Sequence, residues 1–223
     1  YIVVGILFTA ILTLVIAIPL GVIAGANPQT KLSKGIMAGS IFGISLPSFW
    51  MGMMLIYVFS VSLQILPASG RAAAGPGGFS FLTPGGWKNL IMPVLTLALG
   101  YSATILRVTR AGIQENMKQD YVKFARAKGV SRRNVLFHHA LKNALVPVVT
   151  VFGLNIGHMF AFTTVTETIF AWPGVGKLLI DSILRNDRPI IVAYLILVSA
   201  MFVVINFVVD IIYMLVDPRI ELR

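Results

Sequence analysis

The acidic side chains in or beside apolar stretches are the first candidates for chemistry. Glu167 and Asp210 are two such residues, and they lie toward opposite ends of the layer that the apolar runs would cross, so they are poorly placed as a catalytic pair. An acid inside a membrane is a functional candidate by default. A proton relay needs a series of such groups, however, and a position near a membrane interface favours a structural role for Asp210.

The imidazole side chains do not suggest a metal site. His138 and His139 are adjacent, so on a helix they point to different faces and lack the i, i+4 spacing of a ligand pair. His158 stands alone in an apolar run, where packing is a commoner role than ligation. The sequence has no cysteine and no G-x-x-x-x-G-K-[ST] phosphate-binding loop. We therefore expect no catalytic residue, no bound metal or cofactor, and no ATPase site in this chain.

The composition places these residues in a membrane protein. The chain of 223 residues is 57% hydrophobic and 12% charged, about half the charged fraction of an average soluble protein. Five apolar runs suit helices that cross a membrane: residues 2–24, 36–63, 90–106, 144–166 and 190–216. Buried helices of a large soluble core are the alternative, but so short a chain would have too little polar surface. We expect an all-α integral membrane protein with about five transmembrane helices.

The basic residues predict the orientation. Of the 18 Lys and Arg residues, 13 fall in the segments 25–35, 107–143 and 217–223, and five fall in the segments 64–89 and 167–189. Because Lys and Arg are retained on the cytoplasmic side, the first group of segments and the C-terminus are predicted to be cytoplasmic. Clustering of this kind argues against nucleic-acid binding. The chain begins inside an apolar run, so we also expect a further N-terminal helix to precede it.

The two predicted outer loops differ in kind. The first, residues 64–89, is rich in Gly, Pro and Ala, which favours an irregular and adaptable surface. The second, residues 167–189, carries Phe170 and Trp172, whose rings suit a membrane interface. A Pro-Gly turn follows them, and the apolar residues of 177–185 then predict a short amphipathic helix.

The densest basic stretch, "DYVKFARAKGVSRRNVLFHHALKNALVP", occupies residues 120–147 and is called the basic segment below. Asp120 suits the start of a helix, Gly129 its C-terminal cap and Ser131 the N-cap of a second helix. The second helix is expected to run on toward the membrane, with an apolar stripe formed by Phe137, Leu141 and Leu145.

Two interpretations of the basic segment are equally supported by these residues. A basic helix can lie on anionic lipid. Alternatively, the aromatic and small residues of the first helix favour docking to a cytoplasmic protein, because small side chains allow close approach into a groove. These residues are Tyr121, Phe124, Ala125 and Ala127. We expect Ala125 and Ala127 to form an Ala-x-Ala face.

The stretch "YVKFARAKGVSRRNVLFHHALKNALVPVVT" resembles the EAA loop in the membrane subunits of bacterial binding-protein-dependent ABC importers, and more narrowly the dipeptide/oligopeptide/nickel permease branch. The motifs "GISLPSFWMGMML", "LPASG", "ETIFAWPGVGKLL", "RNDRP" and "NFVVDIIYMLVDPRI" resemble the same branch, in the same order. The resemblance covers nearly the whole chain. One departure is Lys123, which stands where the general motif has Glu, in agreement with the peptide/nickel branch.

The resemblance implies a single permease domain, residues 1–223, of the type I ABC importer fold in the bacterial inner membrane. It implies a second permease, two cytoplasmic ATPase subunits that hold ATP and Mg, and an extracytoplasmic solute-binding protein as partners, within membrane lipid. The residues implied to couple to the ATPase are Tyr121, Phe124, Ala125, Arg126, Ala127, Lys128, Gly129 and Ser131. Those suggested to contact the binding protein are Arg71, Trp172 and Arg188.

The cargo implied by the resemblance is a di- or oligopeptide, with glutathione and nickel chelates as alternatives. Two functions of other classes also remain open from the residues alone. An ATP-independent secondary transporter would need charged groups or broken helices along a pathway. A membrane scaffold that only anchors a cytoplasmic partner would show no dependence on a solute.

Overall fold

The structure is a computed structural model that describes residues 2–72 and 83–216. In these ranges the chain forms helices joined by turns, in agreement with the all-α class predicted from the apolar runs. The elements are α1 (Ile2–Ala26), α2 (Lys31–Ser45), α3 (Ser48–Leu55) with a π-helical continuation (Ile56–Ser62), α4 (Pro84–Asn116), α5 (Asp120–Ala127), α6 (Arg132–Asn134), a second π-helical stretch (Val135–Leu141), α7 (Lys142–Ile169), α8 (Val175–Leu184) and α9 (Arg188–Val216).

The apolar helices confirm the predicted membrane class. Among the described residues, four helices are long and apolar enough to cross a membrane, and the number is five if one bent pair counts as a single span. The bent pair corrects the prediction of one straight helix over residues 36–63, because α2 and α3 meet at 103°. Pro47 explains the break, since proline disfavours a helical conformation in the residue before it and lacks the N–H that a helix interior uses.

Helix α4 is longer than predicted at both ends. It begins at Pro84, a residue suited to the first helical position, and therefore takes up the end of the predicted outer loop 64–89. It continues to Asn116, well into the segment 107–143 that was predicted as a cytoplasmic loop. The Gly- and Pro-rich centre of the outer loop, residues 73–82, lies outside the described residues.

The chain divides into two compact units. One comprises Tyr1–Leu12, Leu46–Gly100 and Ile156–Val204, and the other comprises Thr13–Ser45, Tyr101–Asn155 and Ile205–Arg223. They are called the first and the second unit below. The first unit contains α8, and the second contains α5 with the whole basic segment.

The second unit has a core of small and aliphatic side chains from α1, α4 and α7. Ala17, Ile105, Leu106 and Val148 are buried together. Close backbone approach is possible because small residues lie at the contacts, as is usual between membrane helices. At Gly112 of α4, for example, an added Cβ would lie 2.9 Å from the Cβ of Ala144 in α7. This core is the support on which the basic segment rests.

Candidate functional site

Helix α5 is oriented by its buried side. Val122 is fully buried, Ala125 is 7% exposed, and both pack against Val135, with Met117 and Val130 at the edge of the same cluster. Because Val122 and Ala125 are three residues apart, they lie on the same side of α5. The opposite side of α5 is consequently turned to the exterior of the chain.

The exposed side of α5 carries an aromatic and basic surface. Phe124 is 62% exposed and Tyr121 is 38% exposed. The Nζ atom of Lys128 lies 4.5 Å from the centre of the Phe124 ring, a cation–π arrangement that holds the ring and the charge together. Arg126, Ala127, Lys128, Gly129 and Ser131 are also exposed.

The predicted Ala-x-Ala face is wrong. Ala125 packs inward against Val135, whereas Ala127 is exposed. Residues two apart on an α-helix do not share a face, so these two alanines could not form one surface. Ala125 therefore supports the helix from within, and the exposed surface is built around Phe124 and Lys128.

The turn after α5 has the predicted caps. Gly129 has a φ of +80°, in the left-handed region that favours glycine. The N–H of Val130 donates to the carbonyl of Ala125 at 3.1 Å, and that of Gly129 donates to the carbonyl of Arg126 at 2.9 Å, the two hydrogen bonds of a Schellman motif. The Ser131 hydroxyl accepts from the N–H of Asn134 at 3.4 Å and so caps the next helix. Both cap predictions are confirmed.

A chain of hydrogen bonds joins α5 to the two long helices beside it. The Tyr121 hydroxyl donates to Oδ1 of Asn116, at the end of α4, over 2.6 Å. The same hydroxyl accepts from Nδ2 of Asn143, at the start of α7, over 2.9 Å. Nδ2 of Asn116 donates in turn to the carbonyl of Gly112 at 2.8 Å. Tyr121 is thus a joint between three helices, a role that its aromatic type alone does not reveal.

Arg132 links the basic segment to the end of α1. Its guanidinium donates to Oδ1 of Asn27 and, over 3.4 Å, to the carbonyl of Ala26. The last carbonyls of a helix lack partners within the helix, so a basic side chain is well placed there. The basic segment therefore contacts α1 as well as α4 and α7.

The apolar stripe predicted for the helix after Ser131 is confirmed for Leu141 and Leu145, which are half-buried and pack on the apolar clusters of the second unit, and is wrong for Phe137. Phe137 is 47% exposed, and the buried row runs instead through Val135, Ala140, Ala144 and Val148. The step from Val135 to Ala140 spans five residues because this stretch is π-helical, whereas the later steps span four. Sequence periodicity assumes a constant helical pitch and so placed Phe137, which lies within the π-helical stretch, on the buried side.

Lys123, the residue that departs from the general motif, lies on the exposed side of α5. Its Nζ atom is 2.8 Å from Oδ1 of Asp120, with 69% and 95% of the two side chains exposed. The hydrogen bond and the charge of Lys123 lower the pKa of Asp120. Such an exposed i, i+3 pair adds little stability. In this chain Lys123 therefore serves mainly as surface charge beside Phe124.

The residues suggested for contact with a binding protein differ in exposure. Trp172 is 7% exposed and lines a cavity beside Pro93 and Glu167, a placement that favours packing. Arg188, the first residue of α9, is exposed, and Arg71 is partly exposed. Of the three residues, Arg188 has the exposure that a surface contact needs.

The titratable residues singled out in the sequence are scattered. No group of three or more His, Cys, Asp or Glu side chains suited to a metal occurs among the described residues. His158 is exposed on α7 of this chain, so any packing of its ring must involve a neighbouring molecule. The side chain of Asp210 lies outside the described residues. Glu167 is only 4% exposed and contacts the start of α8.

Comparison with known proteins places the chain among transport proteins. Residues 17–222 match the family described as binding-protein-dependent transport system inner membrane component. The chain is 44% identical to the di/tripeptide transport system permease protein DppB of Pseudomonas aeruginosa, over 90% of this chain and 64% of that protein. It is 41% identical to the oligopeptide transport system permease protein AppB of Bacillus subtilis, over 96% and 67%, and 39% identical to the glutathione transport system permease protein GsiC of Escherichia coli, over 91% and 62%. It thus spans about two thirds of the length of these relatives.

The fold also has solved counterparts. A chain of the MetNI methionine ABC transporter in an inward-facing conformation superposes with a TM-score of 0.77 at 16% identity, covering 97% of this chain and 93% of that one. A chain of an amino acid ABC transporter, solved with histidines, gives a TM-score of 0.66 at 13% identity, covering 95% and 90%. At such low identity the similarity establishes a shared fold.

Proposed function

We propose that this chain, which belongs to the family of binding-protein-dependent transport system inner membrane components, is the permease subunit of an ATP-driven importer of short peptides. Support for the peptide cargo comes from relatives named as di/tripeptide and oligopeptide permeases. The relative named for glutathione, itself a small peptide, supports glutathione as an alternative cargo. Nickel chelates remain a further alternative within the same machinery.

The observation that carries the proposal is the construction of α5. Its buried stripe, with Val122 and Ala125, seats it on the chain, while Phe124 and Lys128 project from the other side. A lipid-bound helix buries its apolar side in the bilayer, but α5 uses its aliphatic side for internal packing. What remains exposed is a small knob around the Phe124 ring, with the Tyr121 ring and basic side chains beside it, which suits a protein groove.

In the proposed mechanism, α5 is the coupling helix. ATP and Mg are held by two cytoplasmic ATPase subunits, whose closure moves the groove that holds the Phe124 knob. The joint at Tyr121 and the contact of Arg132 with the end of α1 transmit that movement to α1, α4 and α7. Rigid elements that shift together in this way can alternate access to a site within the membrane. The ATPase chemistry belongs to the partner subunits.

The proposed partners also include a second permease and an extracytoplasmic solute-binding protein. Helix α9 supports the need for a neighbour or lipid, because its apolar stretch Arg188–Val208 buries none of its residues in the chain. If the basic segment is cytoplasmic, the C-terminus is on the same side of the bacterial inner membrane, and α8 is on the opposite, extracytoplasmic side. This orientation rests on the distribution of Lys and Arg.

The test compares two phenylalanines of equal exposure. Phe124→Ala removes the ring of the knob, and Phe42→Ala removes a ring of α2 that is 63% exposed, against 62% for Phe124. Each variant is purified with its ATPase subunits and assayed for ATP-dependent peptide uptake into proteoliposomes. We expect Phe124→Ala to lose at least about tenfold in uptake, since a central aromatic anchor contributes about 2 kcal/mol or more to an interface, while Phe42→Ala retains uptake.

Three outcomes would contradict the importer function, and a fourth would contradict the role of Phe124. If the tagged wild-type chain recovers no ATPase subunit and its membranes show no ATP-dependent uptake, the chain is not an importer permease. Peptide uptake that persists without ATP would favour a secondary transporter, and an ATPase or other cytoplasmic partner bound without any solute dependence would favour a scaffold. Equal uptake by the two variants would refute the role of the knob.

A further inference from the structure

His158 lies deep within a membrane-crossing helix. It is three residues beyond the middle of the apolar run 144–166, which corresponds to about 4.5 Å along an α-helix. Its side chain is exposed on α7, and no hydrogen bond or ion pair of the imidazole occurs among the contacts of the described residues. An ionisable side chain at this depth is costly against lipid, so such residues face the interior of a helix bundle or a water-filled cavity.

The neighbouring sides of α7 are covered by the chain itself. Met159 is fully buried. A Cβ added to Gly157 would lie 2.5 Å from Cε2 of Phe202, so α9 packs directly on α7 at this level. Because successive residues of an α-helix are about 100° apart, His158 lies on a side of α7 that neither Gly157 nor Met159 occupies. Leu154, one turn earlier on the same side, is 56% exposed, so this open side of α7 extends over more than one turn.

The exposed surface of α9 has a different composition. Phe202, Val203 and Val204 lie at the middle of the apolar run 190–216, and they are 48%, 67% and 60% exposed. None of these side chains carries a polar atom, so this surface of α9 suits hydrocarbon. The open side of α7 carries an imidazole at a similar depth, which hydrocarbon does not solvate. The two exposed surfaces therefore meet different surroundings.

A peptide needs hydrogen-bond donors along its path through a membrane. Each peptide has a terminal carboxylate and backbone carbonyls, and these oxygens lose their water unless a donor replaces it. A neutral imidazole offers one N–H to such an oxygen, whatever the side chains of the peptide are. A donor of this kind suits a transporter that accepts peptides of different sequence.

We propose that the open side of α7 borders the water-filled pathway of the cargo, and that His158 donates a hydrogen bond to an oxygen of the passing peptide. The inference rests on the proposed function and deepens it by assigning a cargo-contacting residue. It also assigns the two exposed surfaces, α7 to the pathway and α9 to lipid.

The first test uses the absence of cysteine from the chain, because one introduced cysteine is then the only thiol of this subunit. His158→Cys and Val203→Cys are prepared in the complete transporter in lipid nanodiscs, where both sides of the membrane are accessible. A charged methanethiosulfonate is added with and without ATP, and modification is read from the mass of this subunit. We expect His158→Cys to react at least about tenfold faster than Val203→Cys in one of the two states, because the thiolate is the reacting form and apolar surroundings suppress it.

The second test concerns the peptide itself. Tri-alanine delivered by the binding protein should slow the modification of His158→Cys at least about threefold, because the peptide covers the thiol. In proteoliposomes with saturating loaded binding protein, we expect His158→Leu to lower ATP-dependent uptake about tenfold, the effect of losing about one hydrogen bond to a charged group. His158→Gln keeps an N–H donor and should stay within about threefold of the wild type.

Each other outcome overturns part of the inference. Equal rates for His158→Cys and Val203→Cys, or modification of His158→Cys by a lipid-soluble maleimide alone, would show that this side of α7 faces lipid. Modification by neither reagent would indicate cover by the second permease. Modification without any effect of tri-alanine, or equal uptake by His158→Leu and His158→Gln, would overturn the contact with the peptide.

The design keeps two kinds of failure apart. Should His158→Cys not assemble, Leu154→Cys takes its place with the same expected reactivity, since it lies on the same side of α7. If the wild type takes up no peptide although the thiol reacts as expected, the proposed function fails and the water-filled side of α7 stands. If the wild type takes up peptide and the thiol is unreactive, the proposed function stands and this inference fails.

Discussion

Replacing Tyr121 by Phe tests the joint between α5 and the long helices most directly. The change removes one oxygen atom and with it two hydrogen bonds, of 2.6 Å to Asn116 and 2.9 Å from Asn143. A hydrogen bond contributes about 0.5–1.5 kcal/mol net. Both hydrogen bonds of the Tyr121 hydroxyl are accessible to water, so we take the lower end of this range for each. The sum of about 1 kcal/mol corresponds to an approximately fivefold increase in the fraction of molecules in which α5 is detached.

Hydrogen exchange of the α5 amides measures this fraction, because local opening limits their exchange. We expect the amide hydrogens of α5 to exchange about fivefold faster in Tyr121→Phe than in the wild type, and those of α8 to exchange at the wild-type rate. We also expect the amount of peptide taken up per ATP hydrolysed to fall. Tyr57→Phe is the matched control: this residue is 58% exposed, and no hydrogen bond of its hydroxyl occurs among the described contacts. If α5 exchanges at the wild-type rate in Tyr121→Phe, the joint does not hold the helix and the proposed transmission is refuted.

Three further predictions concern single residues. Gly129→Ala should fray the end of α5 and lower the amount of peptide taken up per ATP hydrolysed, because a φ of +80° costs a residue with a Cβ about 1–2 kcal/mol. An added Cβ meets no atom within 4 Å at Gly129 or at Gly35, so Gly35→Ala is the control for the added methyl group. Wild-type coupling in Gly129→Ala would contradict the argument. Ala171→Gly should stabilise the purified protein by about 1 kcal/mol in thermal unfolding, since Ala171 has a φ of +44° at the end of α7; a lower melting temperature would contradict this. Asp120→Asn should leave the free energy of unfolding at neutral pH unchanged within error, because an exposed ion pair adds little stability. Since Lys123 lowers the pKa of Asp120, any stability that the pair adds must disappear as the pH falls through that pKa. A stability difference between wild type and variant that grows in acid would contradict this.

The sequence was sufficient for features that depend on local chemistry. Apolar length indicated the membrane class, and Asp120, Gly129 and Ser131 marked the turns of the basic segment because caps depend on one or two residues. The short amphipathic helix predicted for 177–185 is confirmed by α8, Val175–Leu184. Charge distribution also indicated a side of the membrane, a prediction on which the proposed orientation still rests.

What the sequence did not reveal depends on distant contacts or on a change of helical pitch. The carboxylate of Glu167 caps a helix that starts several residues later, and the only local sign is the pair of glycines at 174 and 176. Asn116, at the end of α4, and Asn143, at the start of α7, are 27 residues apart in the sequence and are both bound by the Tyr121 hydroxyl. The bend at Pro47 interrupts a run whose composition is uniformly apolar, so hydropathy alone could not locate it.

The number of residues in the π-helical stretch Val135–Leu141 determines the direction in which the knob points. Val135, its first residue, packs on α5, whereas Ala140, near its end, and Ala144, in α7, pack on α1 and α4. Deleting one residue here would restore an α-helical pitch and turn everything on one side by about 100° relative to the other. Side chains in this stretch can therefore vary in type as long as Val135 and Ala140 remain five residues apart, and insertions or deletions should be far less tolerated here than substitutions at exposed positions such as Phe137.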